Sequence, residues 1–595
     1  MTEPAHAISD YAFIGDRRTG ALICPHGSVD WLCLPDFDSP AAFAALLGDE
    51  TNGHWLIGPD GPASTTRRYL PDSLVLETTH TTSTGRVRVI DFMPAGSNRA
   101  DLVRRVEGVE GQVTMRHEFV VRGWYGLRKP WTRRETVDGE DCLDALTGPD
   151  GFRLHGPFLP EENDVGGCTF EVRAGDVADF DLVWSPSHTA PRTTVEPQLA
   201  LETTLRLHRE WLDSSVLDVP HAEVVRRSLL VLRHLTHAEW GGIVAAPTTS
   251  LPEDMVGERN WDYRFCWLRD SALTLEALIT AGYRHKAESW RNWLLRAVAG
   301  NPQRMQIMYR IDGGHDLPER ELDHLPGYAG SRPVRIGNGA VGQRQTDVLG
   351  EVMVALEQAR RAGLAEDADS AALQCELVDD LADHWREPDN GIWEIRGPLH
   401  HFTHSRVMVW AAFDRAVRAV ESGDFPADQR VERWRTVREA VREEVDAKGV
   451  HEEGYFTQHD DTDEVDASLL LLPSVGFCAW DDPRFVKTVE IVERDLLRDG
   501  LVLRYRTTSG VDGLAGDEHP FVMCCFWLVS AYAHLGRLDE ANALMERMVG
   551  LMGELQLMSE EVDGEGTWYG NYPQAFSHLG LVRAAFDLRR ARQEA

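Results

Sequence analysis

Three segments of the 595-residue chain concentrate side chains able to bind and cleave a polar substrate. The first is Asn260-Trp261-Asp262-Tyr263-Arg264-Phe265-Cys266-Trp267-Leu268-Arg269-Asp270, which runs straight into a helical pattern. The second is Asp389-Asn390-Gly391-Ile392-Trp393-Glu394-Ile395-Arg396-Gly397, a turn followed by a Trp-Glu pair. The third is Ser559-Glu560-Glu561-Val562-Asp563, followed by the aromatic stretch Trp568 to His578. Trp, Tyr, Arg and carboxylates between helical runs are the composition of a sugar pocket. Aromatic faces pack against the C–H faces of a pyranose, and Arg and Asp forks bond its hydroxyls. Each segment also has a plainer reading. Asp270 stands where a helix N-cap would, a Glu beside a Trp is more often structural than catalytic, and three carboxylates in five residues usually mark a solvated loop. Two physical points favour chemistry. A carboxyl held against an indole is partly desolvated, which raises its pKa and suits it to general acid work. The acidic loop leads into a Pro-containing aromatic segment that opens the last helix, so it can line a cleft. Two further segments carry less: Arg504-Tyr505 before the turn-rich loop Ser509 to His519, and the glycine-rich run Gly337 to Asp347. The latter matches neither a Walker loop nor GxGxxG and follows no strand, so phosphate binding is not read there.

The elements that must position these segments change character near residue 200. Before it, short apolar alternations are punctuated by Gly and Pro: Leu74 to Leu76 and Val87 to Ile90 around the turn Ser83-Thr84-Gly85, then Val113 to Val121, Phe170 to Val172 and Phe180 to Trp184. These read as an antiparallel β-sandwich. After it the period is helical: Val224, Val225, Leu229, Leu232 and Leu235 share one stripe, as do Val409, Phe413, Val417 and Val420. About twelve helices are expected, starting near residues 221, 270, 285, 343, 367, 405, 428, 464, 484, 521, 538 and 573. Twelve helices can close as two concentric rings of six; periodicity alone fits an open array equally well. The expected domains are a β-sandwich over 1–197, a helical linker over 198–220 and a helical catalytic domain over 221–595.

Lys and Arg total 61 against 96 Asp and Glu, a net charge of −35. Such a surface repels nucleic acid and anionic membranes, and a neutral substrate escapes that penalty. Met1 to Ile14 shows no basic-then-apolar leader pattern, and no apolar run approaches the ~20 residues of a membrane span. Nine scattered cysteines with no CxxC pair read as reduced, buried thiols of a cytoplasmic protein.

Taken together, the segments resemble glycoside hydrolase family 15, the family of glucoamylases, glucodextranases and bacterial trehalase-like enzymes. The N-terminal likeness rests on Ile14-Gly15-Asp16, Gly27 to Pro35 and Phe37-Asp38-Ser39-Pro40. The catalytic likeness rests on Trp267-Leu268-Arg269-Asp270, Gly391-Ile392-Trp393-Glu394, Ser559 to Asp563 and Gly570 to His578. The resemblance implies a β-sandwich followed by an (α/α)6 barrel. It implies that Arg269 and Asp270 hold the terminal glucose with Tyr263 and Trp267 beside them, and that Trp393, Arg504 and Tyr505 also contact sugar. It implies that Glu394 is the general acid and Glu560 the general base, with Glu561 as the neighbouring alternative. It further implies inversion, with carboxyl groups roughly 6.5–9.5 Å apart rather than the ~5–5.5 Å of a retaining pair, and no metal or organic cofactor. The expected substrate is a neutral α-linked glucose di- or oligosaccharide, trehalose or an isomaltose-type sugar, with β-glucose as product. Longer α-glucans, an α-glucoside phosphorylase and a non-catalytic sugar-binding protein are the competing readings. Val341 stands where glucoamylases carry a sugar-contacting aromatic residue, which weakens the case for long chains. The hairpin around Trp31 and Phe37 is expected to reach over the barrel mouth.

Overall fold

The computed structural model describes residues 6–96, 99–137, 139–161, 167–215, 217–298, 305–507, 510–513, 516 and 518–594. Ser509, at the start of one loop singled out in the sequence, and Val216 of the expected linker lie outside the described residues.

The first part is antiparallel throughout, with fourteen strands among the described residues between 12 and 186. One long strand, Asp101–Val120, belongs to two layers. Its first half pairs with Gly85–Phe92 and Val177–Pro186; its second half pairs with His54–Pro59 and Cys168–Arg173. The changeover falls at glycines. A Cβ on Gly108 would sit 1.9 Å from the carbonyl oxygen of Arg173, and Gly111 takes φ +62°, a combination open to glycine alone. The layers then face each other, with the Phe180 ring 4.8 Å from that of His117 and 5.7 Å from that of Phe170. The expected hairpin is present as Leu76–Thr81 against Gly85–Phe92. Helix α1 (Pro197–Leu212) lays Leu201 on Val75, Ile90, Phe92 and Val103 of the sandwich.

The rest is helical. The inner ring is α3 (Leu268–Thr280), α5 (Val348–Arg361), α7 (Thr403–Ser422), the 3-10 helix Ala467–Leu471, α10 (Val522–His534) and α12 (Ala575–Glu594), each packed on the next and α12 on α3. The outer ring is α2 (Ala222–His234), α4 (His285–Val298), α6 (Ala368–His384), α8 (Arg430–Lys448), α9 (Pro483–Leu496) and α11 (Leu538–Leu551). Sequence pattern assigns the rings. Helix α10 is apolar and buried all round from Val522 to Ala533, whereas α8 buries just Trp434, Val441 and Val445, as expected for an interior and a surface helix. The chain thus forms an antiparallel β-sandwich and an (α/α)6 barrel.

Three local expectations are corrected. The helix expected near 464 is the 3-10 turn Ala467–Leu471, because Asp466 accepts from Ser468 and Trp393 and Pro473 blocks continuation. The helix expected near 343 begins at Val348, after a 3-10 turn at Gly339–Gly342. The hairpin expected to overhang the barrel mouth is instead sealed inside the interface: Trp31 and Phe37 are both buried, and the Trp31 indole donates to the Pro247 carbonyl at 2.8 Å. Trp31→Phe removes that donor and leaves a buried carbonyl unpaired, at a cost of about 1–3 kcal/mol. Denaturant unfolding is expected to show that loss while KM stays at its parent value.

Candidate active site

A cleft in the barrel collects the sequence-predicted residues: Tyr263, Trp267, Arg269, Asp270, Trp393, Glu394, Arg504, Tyr505 and Glu560 all line it, around about 770 Å³ counted to its open mouth.

Glu394 sits on a constrained turn. Gly391 has φ +66°, and a Cβ there would meet the Phe402 ring at 2.8 Å. The Asn390 side chain donates to the Ile395 carbonyl and accepts from the Arg344 N–H. Glu394 itself has φ +59°, a conformation that side chains avoid and that the surroundings must enforce. Its Oε1 accepts from the Trp267 indole at 2.6 Å and lies 3.5 Å from Arg269. Burial raises its pKa; Arg269 opposes that shift and Asp270 adds to it. The indole that meets the Glu394 carboxyl is Trp267, distant in sequence, and its hydrogen bond favours the carboxylate, opposing the rise that burial causes. The Trp393 nitrogen instead donates to Asp466 at 2.9 Å, and its ring packs on Tyr505, Phe521 and Trp527.

Arg269 and Asp270 occupy the first turn of α3, whose N-cap is Trp267. The capping role open to Asp270 in the sequence is not taken up. Its carboxylate accepts from Arg269 Nε at 2.7 Å, while Arg269 Nη1 donates to the Ile392 carbonyl at 2.6 Å. Arg269 thereby ties α3 to the turn carrying Glu394.

Glu560 is buried on the far side of an aromatic pair. Tyr263 donates to its Oε1 at 2.7 Å, and the Tyr263 and Trp267 rings meet edge to face at 5.5 Å. Among the described residues Glu560 Oε2 has no hydrogen-bond partner. Space for this side chain depends on Gly570, with φ +80°, where a Cβ would come within 2.9 Å of Glu560 Cβ and 3.0 Å of Oε2. Glu561 faces elsewhere: it accepts from Arg504 at 3.3 Å and from the His519 N–H at 3.1 Å, and it is absent from the cleft lining. Beneath Glu560, Arg504 contacts Glu253, Glu518 and Glu561 at 3.2, 2.7 and 3.3 Å. Arg259 contacts Glu518 and Asp512, and Tyr505 donates to Glu518 at 2.8 Å. Burial raises the pKa of Glu560 and Glu253, and their mutual repulsion adds to the shift on Glu560.

The model of the glycosyl hydrolases family 15 matches residues 220–586, and that of the trehalase-like N-terminal region matches residues 1–135. The chain belongs to glycoside hydrolase family 15. Among similar family 15 sequences, a trehalase of Mycolicibacterium smegmatis is 38% identical over 100% of this chain and 93% of its own length. A trehalase of Thermoplasma volcanium is 32% identical over 98% and 94%. A bacterial glucoamylase solved in complex with acarbose shares the fold with a TM-score of 0.71 at 13% identity, across 100% of this chain and 97% of that one. As a family 15 member the protein is a glycoside hydrolase.

Several lining residues carried no sequence signal. Glu253, Arg259 and Asp512 sit in irregular segments, and Glu518, which does not line the cleft but contacts Arg504 behind it, lies in the loop before His519 with nothing to separate it from solvated acids. Trp261 was visible within its aromatic segment, but its setting was not: Arg335 and Arg396 lie 4.6 and 4.1 Å from its ring. Val341 does not line the cleft; its neighbours Asn338 and Ala340 do. Gly570→Ala tests the tightness of the Glu560 pocket. Displacing a reacting carboxyl by about 1 Å costs on the order of 100-fold in rate. Steady-state kinetics are expected to show that loss in kcat, with an unchanged far-UV dichroism spectrum.

Proposed function

We propose that the protein is an inverting, exo-acting α-glucosidase that hydrolyses trehalose, with Glu394 as general acid and Glu560 as general base. The observation that carries this reading is the free, buried Oε2 of Glu560, across the Tyr263–Trp267 pair from a carboxyl whose pKa is raised. An acid on one side protonates the glycosidic oxygen, and a base on the other takes a proton from water. Tyr263 leaves one oxygen of Glu560 to accept that proton. Arg269 and Asp270 hold the terminal glucose, with Trp267 and Tyr263 against its ring and Trp393, Arg504 and Tyr505 at the pocket floor. Trehalose is favoured because relatives sharing the whole chain length carry the name trehalase, and isomaltose is the comparison substrate. Phosphorolysis is disfavoured by the four glutamates around Arg504, which repel phosphate. The scattered, mostly buried cysteines support a reducing, cytoplasmic setting. Among the described residues no helix is long and apolar enough to cross a membrane.

Proton NMR from the first minutes of reaction is expected to show β-glucose released from trehalose ahead of mutarotation. Prompt α-glucose alone would sink inversion at this site, and glucose 1-phosphate formed only with added phosphate would replace hydrolysis with phosphorolysis. Glu394→Gln and Glu560→Gln are expected to lower kcat by at least ~100-fold. Glu561→Gln is expected to retain far more turnover, since its carboxylate is occupied by Arg504 and the His519 N–H. Near-normal turnover in Glu560→Gln would move the base elsewhere.

The pH profile tests the charge cluster. Glu253 repels negative charge on Glu560, so Glu560 gives up its proton at a higher pH than it otherwise would. Glu253→Gln removes that repulsion, and the acidic limb of kcat/KM is expected to move to lower pH. The alkaline limb, set by loss of the Glu394 proton, stays in place. An acidic limb that does not move would show that the Glu253 charge does not act on the base.

A further inference from the structure

Outside the lining of the catalytic cleft, the turn between the second and third strands, Cys24-Pro25-His26-Gly27, closes with the Gly27 N–H donating to the Cys24 carbonyl at 3.0 Å. Cys24 is buried and His26 exposed. His6, from the segment before the first strand, brings its Nε2 within 3.1 Å of His26 Nδ1, with ring centroids 4.9 Å apart. The Cys24 sulfur and one nitrogen from each imidazole all lie within 4.8 Å of one another. Two imidazoles and a thiol are a borderline-to-soft donor set, suited to zinc or a neighbouring late transition metal rather than magnesium or calcium. Tetrahedral zinc, with nitrogens at ~2.0–2.1 Å and sulfur at ~2.3 Å, needs ligand edges of roughly 3.3–3.6 Å. The His6–His26 edge already meets that spacing closely, and the sulfur edges need about 1 Å of closure, within reach of rotation by an exposed His26. The electrostatic setting suits a cation: Asp10 acts on His6 and Asp30 on Cys24, against one cation, Arg67. A third imidazole, His80, is close enough for His26 to act on it, and its buried Nε2 has no hydrogen-bond partner among the described residues.

We propose that His6, Cys24 and His26 form a binding site for a zinc-class divalent cation, with solvent completing the tetrahedron on the exposed side. The site lies on a junction. The His6 carbonyl accepts from the Tyr328 hydroxyl of the barrel at 2.8 Å. A cation held here clips the N-terminal segment to the sandwich and, through that bond, to the barrel. Its effect is on stability, since none of its ligands lines the cleft.

The test uses the full-length enzyme stripped with a chelator, then titrated with Zn2+ against a chromophoric competitor, and with Co2+ as an optical probe. One Zn2+ per chain is expected, and the cobalt form should show a thiolate-to-cobalt charge-transfer band. Cys24→Ser is expected to abolish the band, whereas Cys375→Ser, at another buried thiol, keeps it. His26→Gln alters an exposed side chain and is expected to weaken Zn2+ by at least ~10-fold, comparable to losing even an outer-shell partner. It should also cancel the rise in thermal midpoint that Zn2+ gives the parent, with kcat unchanged. Uptake well below one equivalent by the parent, a band that persists in Cys24→Ser, or unaltered affinity in His26→Gln would each overturn the site. Cation bound at the catalytic carboxylates gives no thiolate band and counts against the proposal.

Discussion

The cost of placing like charges in one buried pocket governs the architecture of this hydrolase. Glu253, Glu518, Glu560 and Glu561 are all buried, and Arg504 contacts three of them directly. Isolated, each carboxylate would carry a desolvation penalty of several kcal/mol. Sharing guanidiniums reduces that penalty without cancelling it, since Arg504 and Arg259 face these four carboxylates and Asp512. The remainder shows in the raised proton affinities of Glu253, Glu560 and Glu561. The titration belongs to the cluster as a whole. Within it, Glu560 differs in having an oxygen directed at no protein group among the described residues, while Glu561 is fully engaged.

The opposite wall uses a different device. Glu394 is flanked by one guanidinium and one indole N–H, and its backbone is forced to positive φ. A strained backbone at an unsupported loop would relax. Here Asn390, Gly391 and the Arg269 bond to the Ile392 carbonyl fix the turn. Arg269 thus serves the fold and the pocket together, joining the first turn of an inner helix to the turn carrying Glu394. Trp267 and Tyr263 bond the Glu394 and Glu560 carboxyls and meet each other edge to face, so the spacing of the two carboxyls depends on the short segment 263–267 as well as on long-range packing.

Much of this was legible in the sequence. The change from period two to helical period marked the two architectures, and most inner and outer helices announced themselves by an apolar stripe. Seven of the nine site residues stood out because aromatic and charged types interrupted those stripes, while Arg504 and Tyr505 were reached only through the family resemblance. What the sequence withheld was three-dimensional. Ring closure needs α12 to reach α3, which no local period encodes. The indole that hydrogen-bonds Glu394 comes from 127 residues earlier, a contact that no local pattern encodes. Glu253 and Glu518 lie in irregular segments where an acid is ordinarily solvated, and only the approach of Arg504 makes them part of the pocket. Trp31 looked like a rim residue because large aromatics often are; the Pro247 carbonyl draws it inward.

That inward contact explains why a sandwich is needed beside the barrel. Trp31 holds Pro247, and the next residue, Thr248, bonds Asn571 Oδ1 and the Tyr572 N–H. Asn571 in turn donates to the Trp261 carbonyl, and the Tyr572 hydroxyl donates to the Tyr11 carbonyl of the sandwich. Between these anchors lies Gly570, whose N–H donates to the Pro252 carbonyl and whose missing side chain makes room for Glu560. Pro252 is followed directly by Glu253. The sandwich therefore braces, through these two hydrogen bonds, the strip of chain that carries Gly570 and Glu253. The hydrogen bonds from the sandwich side therefore bear on Gly570 and Pro252, the positions that fix the room for the buried Glu560 side chain and the start of Glu253.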